Sequence, residues 1–203
     1  MEIVAAAIAG YLLGSIPFGL IMTRLNGGVD LRDYGSGKTG FTNSLRVLGL
    51  RRSLPVFIGD FLKGVVAAAL PLAWTDDPWA QAAGGLAAVC GHVWPIFARF
   101  RGGRGVLTGL GVLVFLNPLA VLAVAPLAAI VLKTTRYMSL TSISGAALAA
   151  CLFVAFAAID EHPWAYAVAA CIGGALIIAL HHDNIARLRA GTERRVGERV
   201  ETA

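Results

Sequence analysis

Between two basic turns the chain reads Arg101-Gly102-Gly103-Arg104-Gly105-Val106-Leu107-Thr108-Gly109-Leu110-Gly111-Val112-Leu113-Val114-Phe115-Leu116-Asn117-Pro118-Leu119-Ala120. It then stays apolar to Leu132, ahead of Lys133-Thr134-Thr135-Arg136. The stretch 105–132 is longer than one crossing of a bilayer needs, since about 20 apolar residues suffice. As a single crossing it would put Lys133 and Arg136 on the opposite side from Arg101 and Arg104, and the segments after it would invert. Pro118 lacks an N–H and biases Asn117 away from helix. The stretch therefore reads as two short opposed helices, 105–116 and 118–132, that turn at Asn117-Pro118. The first reaches only ~18 Å at 1.5 Å per residue, short of the ~30 Å hydrocarbon core. Its start is expected in a thinned or water-filled recess.

The other long apolar runs predict helices near 3–23, 53–74, 79–98, 139–159 and 163–181. The gaps 24–52, 99–104 and 133–138 and the tail 182–203 hold sixteen of the seventeen Lys and Arg residues. The remaining one, Lys63, is read as lying in the first turns of the run that leaves loop 24–52. The gaps at Thr75–Pro78 and Asp160–Pro163 hold Asp76, Asp77, Asp160 and Glu161 and no basic residue. Basic loops stay cytoplasmic. The expectation is an all-α integral membrane protein of about seven transmembrane helices, with its N-terminus outside and its C-terminus cytoplasmic. Residues 1–203 form one transmembrane domain whose cytoplasmic parts are the three basic loops and the tail.

Composition agrees. With 57% hydrophobic residues and a mean hydropathy of +0.73, the chain has too little polar surface for a soluble domain. Its net charge of +5 is carried by residues bordering apolar runs. Anionic headgroups or phosphorylated substrates are the expected partners, not nucleic acid. Met1-Glu2-Ile3 has no basic n-region, so 3–23 is read as a retained span. Cys90, Cys151 and Cys171 lie inside apolar runs with no CxxC spacing and read as packing residues. There is no low-complexity segment and no convincing repeat.

Candidate chemistry lies in the basic loops. Gly35-Ser36-Gly37-Lys38-Thr39 imitates the end of a Walker A loop, but Arg32 stands where that motif needs Gly and no apolar strand precedes it. Gly35, Gly37 and Gly40 still let backbone N–H groups turn toward an anion. Residues 39–49 read as a short amphipathic helix. Phe41, Leu45 and Leu48 form its apolar face, expected on the membrane interface. Thr39, Asn43 and Arg46 form its polar face. A solvated loop with Arg46 at lipid headgroups accounts for the spacing as well. The Arg101–Gly105 turn combines guanidinium forks, glycines and a helix N-terminus, which suits a phosphate. Gly105 and Gly109 also fit GxxxG packing. His92, inside an apolar run, is a buried ionisable residue and so a functional candidate. Hydroxyls crowd the segment from Ser139 to Ser144, where one cap would suffice. In the tail, His181 and Asn184, and Asn184 and Arg187, are spaced to share a face. His181, His182 and Asp183 are metal-ligand types without Cys or Glu partners at matched spacing, a weak metal reading.

Gly14-Ser15-Ile16-Pro17-Phe18-Gly19, the Gly35–Gly49 loop, Gly59-Asp60-Phe61-Leu62-Lys63-Gly64, the Gly91–Thr108 cluster, Arg136–Ile143 and the His181–Glu193 tail occur in this order. Together they resemble the bacterial acyl-phosphate:glycerol-3-phosphate acyltransferases, the PlsY family, over nearly the whole chain. The resemblance implies a seven-helix enzyme of the bacterial inner membrane with its active site facing the cytoplasm. It implies transfer of a fatty acyl group from acyl phosphate to the 1-hydroxyl of sn-glycerol 3-phosphate, giving lysophosphatidic acid and phosphate.

It carries over Ser36, Arg46, Ser142, His181 and Asn184 as catalytic residues. Gly35, Gly37, Lys38, Thr42, Asn43, His92, Gly102, Gly103, Arg104, Thr108 and Glu193 are expected to bind substrate, Arg104 standing where the family usually has Lys. No cofactor and no metal are expected. Membrane lipids are expected partners, and the enzyme that makes the acyl phosphate is a candidate one.

An acyl phosphate is already activated, so no covalent nucleophile is required. The H-x4-D signature of acyl-CoA-dependent acyltransferases is absent, because Phe97, Ala167, Ala186 and Arg187 follow the four histidines at that spacing. The chain departs from the family pattern at Lys38, Thr39, Phe41 and Leu180, which leaves a paralogue with another acceptor as an alternative. A second alternative is a non-catalytic binder or transporter of phosphate or lipid phosphate. A transporter needs a polar path, and only isolated groups such as Asn117 lie beyond the basic end.

Overall fold

The computed structural model describes residues 1–198; the last part of the predicted basic tail, with Arg199, lies outside them. Every regular element among the described residues is helical. The α-helices are α1 (Glu2–Gly14), α2 (Phe18–Gly27), α3 (Phe41–Leu48), α4 (Leu50–Ala69) and α5 (Pro78–Val93). They continue with α6 (Val106–Leu116), α7 (Pro118–Thr135), α8 (Met138–Ala158), α9 (Trp164–Ala179) and α10 (His182–Arg189). Short 3-10 turns lie at Leu31–Asp33, Leu70–Ala73 and Ile96–Ala98.

The break read at Asn117-Pro118 is present, with α6 ending at Leu116 and α7 starting at Pro118. Asn117 is extended, and its side-chain oxygen accepts the Ala120 N–H at 3.0 Å, with Pro118 opening α7. An Asn cap followed by Pro in the first turn is a strong helix start. α7 runs three residues past the expected end at 132 and stops at Arg136, whose φ is 60°.

Other expectations need correction. The run 3–23 is two helices broken at Ser15-Ile16-Pro17. The helix expected to 98 stops at Val93, because Pro95 cannot donate and disfavours helix at Trp94. Thr39 lies before α3, which spans 41–48 and not 39–49. The Phe41 ring packs edge-on against Phe57 of α4, centroids 5.3 Å apart, and not simply on an interface. Lys63 is not near the start of α4. It lies thirteen residues in, about 20 Å along the axis, and is 5% exposed. Its Nζ sits 2.9 Å from Asp60 Oδ1 and donates to the Ile16 carbonyl at 3.1 Å. That carbonyl lies at the break between α1 and α2, so the ammonium supplies a partner where helix continuity fails.

The packing is that of a membrane bundle. Buried apolar positions are mostly small, among them Ala67, Ala68, Ala80, Ala88 and Ala170, whereas Ile8, Leu54, Ile58, Leu122, Ile130 and Ile172 face outward. Lipid solvates large aliphatic side chains as well as a protein core does, so helices associate through small residues that let backbones approach. Gly10 of α1 abuts the backbone of Gly84 in α5, and Gly111 of α6 abuts the backbone of Phe61 in α4. The expected Gly105/Gly109 packing motif is not the contact. Gly105 is the α6 N-cap at φ 79°, and Gly109 faces the Ile177 side chain.

Four stretches are long and apolar enough to cross a membrane: Glu2–Asn26, Leu50–Ala73, Pro118–Thr135 and Met138–Ala158. α9 joins α10 across a 54° bend as a further bent pair. α5 and α6 have 16 and 11 residues, or about 24 and 17 Å.

The α4–α6 crossing makes Gly111 intolerant of even one methyl group. Gly111→Ala should lose about 1–3 kcal/mol through overpacking, whereas Gly145→Ala, whose nearest neighbour atom is a Val124 methyl at 3.8 Å, should be neutral or gain helix propensity. Thermal unfolding in detergent checks this; equal midpoints for the two variants would contradict the close crossing.

Candidate active site

A polar cavity of about 180 Å³ lies where the 35–40 loop, α3, α4, the end of α5, the start of α6, the start of α8 and the α9–α10 bend converge. Ser36, Lys38, Thr42, Asn43, Arg46, His92, Arg104, Ser142, His181, Asn184 and Glu193, all expected from the sequence, line it. Asp60 and Ser139 line it too and were not singled out. Asp60 had a signal: an acid and a Lys spaced i, i+3 inside an apolar run are expensive unless used. Ser139 had none beyond the crowd of hydroxyls around it.

The glycine loop is shaped by one side chain. Asn43 is 2% exposed. Its Oδ1 accepts the Ser36 N–H at 3.0 Å, and its Nδ2 lies 2.9–3.1 Å from the carbonyls of Leu31, Tyr34 and Lys38. The amide is used up in holding the loop. Gly35 and Gly37 have φ of 61° and 66°, and a Cβ at Gly35 would collide with Asn43 Oδ1. They shape the turn and do not line the cavity. The Gly37 N–H is spent on the Tyr34 carbonyl.

The Arg101–Gly105 turn divides. Arg104 and Gly105 line the cavity. Gly102 and Gly103 do not; their N–H groups donate to the carbonyls of Val93 and His92, both at 3.1 Å. Their expected role as amide donors to substrate is therefore corrected. Thr108 is also outside the cavity, fully buried against Gly64 with its hydroxyl unpartnered.

Three cations remain available. Among the described residues, Lys38, Arg46 and Arg104 are in no ion pair. Arg104 Nε donates to the Leu180 carbonyl at 3.1 Å, which aims its fork. Burial lowers the pKa of both arginines, with Arg194 adding to the effect at Arg46 and Arg187 at Arg104. Clustered, partly desolvated guanidinium groups of this kind favour a multiply charged anion. The α6 N-terminus adds to the field: Val106 and Leu107 line the cavity, and no side chain caps the helix.

On the far wall, Glu193 accepts from Ser139 Oγ at 2.7 Å, Asn184 Nδ2 at 2.6 Å and Arg187 Nε at 2.8 Å. Burial raises its pKa, but these three donors outweigh burial and hold the carboxyl below its ordinary value. Glu193 is thus a clamp joining α8, α10 and the tail. Asn184 is left with a buried Oδ1 that has no partner, an acceptor waiting for a donor. His181 Nδ1 lies 2.7 Å from the Ile177 carbonyl. A carbonyl can only accept, so Nδ1 carries a proton. Burial lowers the His181 pKa, with Arg104 adding to it, against the Ile177 hydrogen bond and Glu193, which raise it. Ser142 Oγ donates to the Met138 carbonyl at 2.8 Å. His182 and Asp183 pair with each other on the exposed side. No cluster of three or more His, Cys, Asp or Glu side chains among the described residues could hold a metal.

A second cavity of about 250 Å³ adjoins the first, between α5, α6, α7, α8 and α9. Val106, Leu107, Met138 and Ser142 belong to both. Leu86, Leu110, Leu113, Val121, Val124 and Ile177 make most of the rest apolar, and no charged residue lines it. A cationic pocket opening into an apolar one matches a molecule with an anionic head and a hydrocarbon tail.

Comparison with known proteins shows the family. The family model described as glycerol-3-phosphate acyltransferase matches residues 4–191. A glycerol-3-phosphate acyltransferase of Thermoanaerobacter sp. (strain X514) is 40% identical over 201 residues, covering 99% of both chains. That of Halalkalibacterium halodurans is 42% identical over 197 residues, covering 96% of both. The crystal structure of PlsY (YgiH), an integral membrane glycerol 3-phosphate acyltransferase, in its glycerol 3-phosphate form superposes with a TM-score of 0.88 at 38% identity, covering 97% of this chain and 96% of that one. Its lysophosphatidic acid form gives 0.85 at 37% identity, covering 98% and 97%. With the family model matched across nearly the whole chain, and relatives this similar from end to end, the protein belongs to the glycerol-3-phosphate acyltransferase family and is an integral membrane protein.

Proposed function

We propose that the protein transfers a fatty acyl group from acyl phosphate to the 1-hydroxyl of sn-glycerol 3-phosphate. The observation that carries this is the joined pair of cavities: three unpaired cations and a helix N-terminus at one end, and an uncharged groove at the other. The related PlsY structure in glycerol 3-phosphate and lysophosphatidic acid forms supports the same acceptor and product. The acyl chain lies in the groove, and its carbonyl reaches the boundary at Ser142. Lys38, Arg46 and Arg104 hold the two phosphates, and the orphan Oδ1 of Asn184 accepts from a glycerol hydroxyl. The hydroxyl oxygen attacks the acyl carbonyl carbon. The bond from that carbon to the phosphate oxygen breaks, and phosphate leaves carrying the hydroxyl proton. The cations offset charge that builds on the leaving phosphate, and holding both reactants together supplies the rest. A transport reading lacks a polar path: Asn117, the deep polar residue, spends its oxygen capping α7.

The whole chain is read as one transmembrane unit of the bacterial inner membrane. It crosses seven times, with the N-terminus outside and the cavity at the cytoplasmic face; an acyl-phosphate-producing enzyme is its natural neighbour. In a cysteine-free background, a cysteine placed at Asp76 or Glu161 should label with an impermeant reagent from outside. One at Arg136 should label only from inside, and external labelling there would sink the seven-segment reading.

Arg46 carries the sharpest mutational test. Arg46→Ala should lower turnover by roughly one to two orders of magnitude, and Arg46→Lys should lose less, because lysine keeps the charge but not the planar fork. One charge-assisted bond costs roughly 1.5–3 kcal/mol, or about 10- to 150-fold when lost from the transition state. Exposed Arg51 is the control, and its alanine variant should stay near wild type. Equal losses at both positions would mean that the loop only binds headgroups.

Activity should also survive EDTA, since guanidinium, ammonium and N–H groups are positioned to carry the charge. Loss on chelation with recovery on adding magnesium or zinc would overturn the metal-free scheme.

A further inference from the structure

Behind the glycine loop lies another cavity, of about 280 Å³, whose walls include Arg32, Lys38, Trp94, Arg101, Gly102 and Gly103. This is where the glycines of the basic turn went. The turn puts Arg104 on one side and Arg101 on the other, so a motif that looked like one phosphate site faces two compartments. The partition between them is thin. Lys38 lines both cavities, Arg104 bonds the carbonyl of Leu180 in the second wall, and the His92 ring packs on Gly103.

This third cavity is lined by three cations and no carboxylate. Arg32 shares its charge with Asp30, through Nε at 2.9 Å and Nη2 at 2.6 Å, and gives one Nη1 hydrogen to the Ala98 carbonyl at 3.1 Å. One hydrogen on each terminal nitrogen remains free. Among the described residues Lys38 and Arg101 have no ion-pair partner. Arg101 follows two consecutive non-glycine residues in the left-handed region, Arg99 at φ 55° and Phe100 at φ 58°. They are held by the Phe100 N–H on the Pro95 carbonyl at 2.9 Å and the Arg101 N–H on the Ala98 carbonyl at 3.2 Å. Backbone of this kind is rare without glycine and gathers where a site needs a side chain in one place. Like charges converging on a small recess repel one another unless an anion sits between them.

We infer that this cavity is a second phosphate site, distinct from the catalytic one, for inorganic phosphate or the phosphomonoester head of a lipid, with Arg101 and Lys38 as its principal ligands. Because Lys38 also lines the catalytic cavity, a phosphate held there draws its ammonium away from the reacting groups. Product or lipid phosphate would then slow turnover without occupying the catalytic cavity.

The binding claim does not depend on the proposed reaction, and its first test involves no turnover. Equilibrium dialysis of radiolabelled inorganic phosphate against the purified full chain in neutral detergent should find one phosphate per chain more in wild type than in Arg101→Gln. Arg101→Lys should restore it. The thermal midpoint should not move, since the Arg101 side chain is exposed and makes no ion pair. Equal counts in wild type and Arg101→Gln would overturn the site. So would a loss that Arg101→Lys fails to restore, or one that tracks a lowered midpoint.

Adding phosphatidate, but not phosphatidylcholine, to the micelles assigns the site to a lipid head if it displaces the extra phosphate, and to free phosphate if it does not. In acyl-transfer assays, inhibition of kcat by phosphate should weaken at least several-fold in Arg101→Gln, leaving the effect on KM in place. Unchanged kcat inhibition would refute the role given to Lys38 even if the binding result stood.

Discussion

A buried ion pair holds the basic end of this bundle together. Lys63 and Asp60, 5% and 1% exposed, lie one turn apart on α4. The ammonium reaches the Ile16 carbonyl at the break in the first span, and His92 at the end of α5 lies 3.4 Å from the same carboxylate oxygen. Such a pair is costly to desolvate and is tolerated only when geometry and extra hydrogen bonds compensate. Here it welds α1, α2, α4 and α5 at the level where the polar cavity begins. The His92 ring in turn touches Gly103, so the turn that presents Arg104 is seated on the same node. Truncating either charge would strand the other in an apolar surrounding, a change more disruptive than the loss of a surface pair.

Around that node the site separates side chains that clamp from side chains that are free. Asn43 and Glu193 have the chemistry of ligands but satisfy the protein: one closes the glycine loop, the other ties α8, α10 and the tail. With Glu193 paired to Arg187, Lys38, Arg46 and Arg104 are in no ion pair among the described residues, and Asn184 keeps an unused acceptor. The same economy governs the backbone. Amides of the Gly102–Gly103 turn are consumed internally, while those at the start of α6 remain open. A preorganised excess of positive charge in a recess that excludes much of the water is worth more than the same groups on a surface.

The apolar groove follows from helix length. α6 is short, and the groove beside it is lined by its own Gly109 and by Gly145, Ala146, Gly173 and Gly174 of α8 and α9. Small residues that elsewhere bring helices together here leave room, because four helices line the groove around a short one. The groove therefore begins where α6 begins, beside the cations, and the two cavities share the wall formed by Val106, Leu107, Met138 and Ser142.

Most of the architecture was legible in the chain itself. Hydropathy and the side preference of Lys and Arg depend on transfer from water to lipid residue by residue, so the runs, the Asn117-Pro118 turn and the basic loops could be read directly. Most expected site residues do line one cavity, because the resemblance rested on motifs whose side chains converge. Local rules failed where a partner distant in sequence decides the outcome. Nothing near Lys63 announces Ile16, nothing near Asn43 says that its amide will be spent on Leu31, Tyr34 and Lys38, and nothing in Arg-Gly-Gly-Arg tells which guanidinium faces which cavity. The helix end at Val93 and the break at Ile16-Pro17 do have local causes in Pro95 and Pro17; what the chain does not announce is that Lys63 takes the freed Ile16 carbonyl. The sequence by itself determined which segments are apolar enough for membrane helices and which groups carry charge, since those are properties of single side chains and their neighbours. Only the tertiary structure decided which polar groups are satisfied and which remain free, because a hydrogen bond needs two partners and the fold alone brings them together.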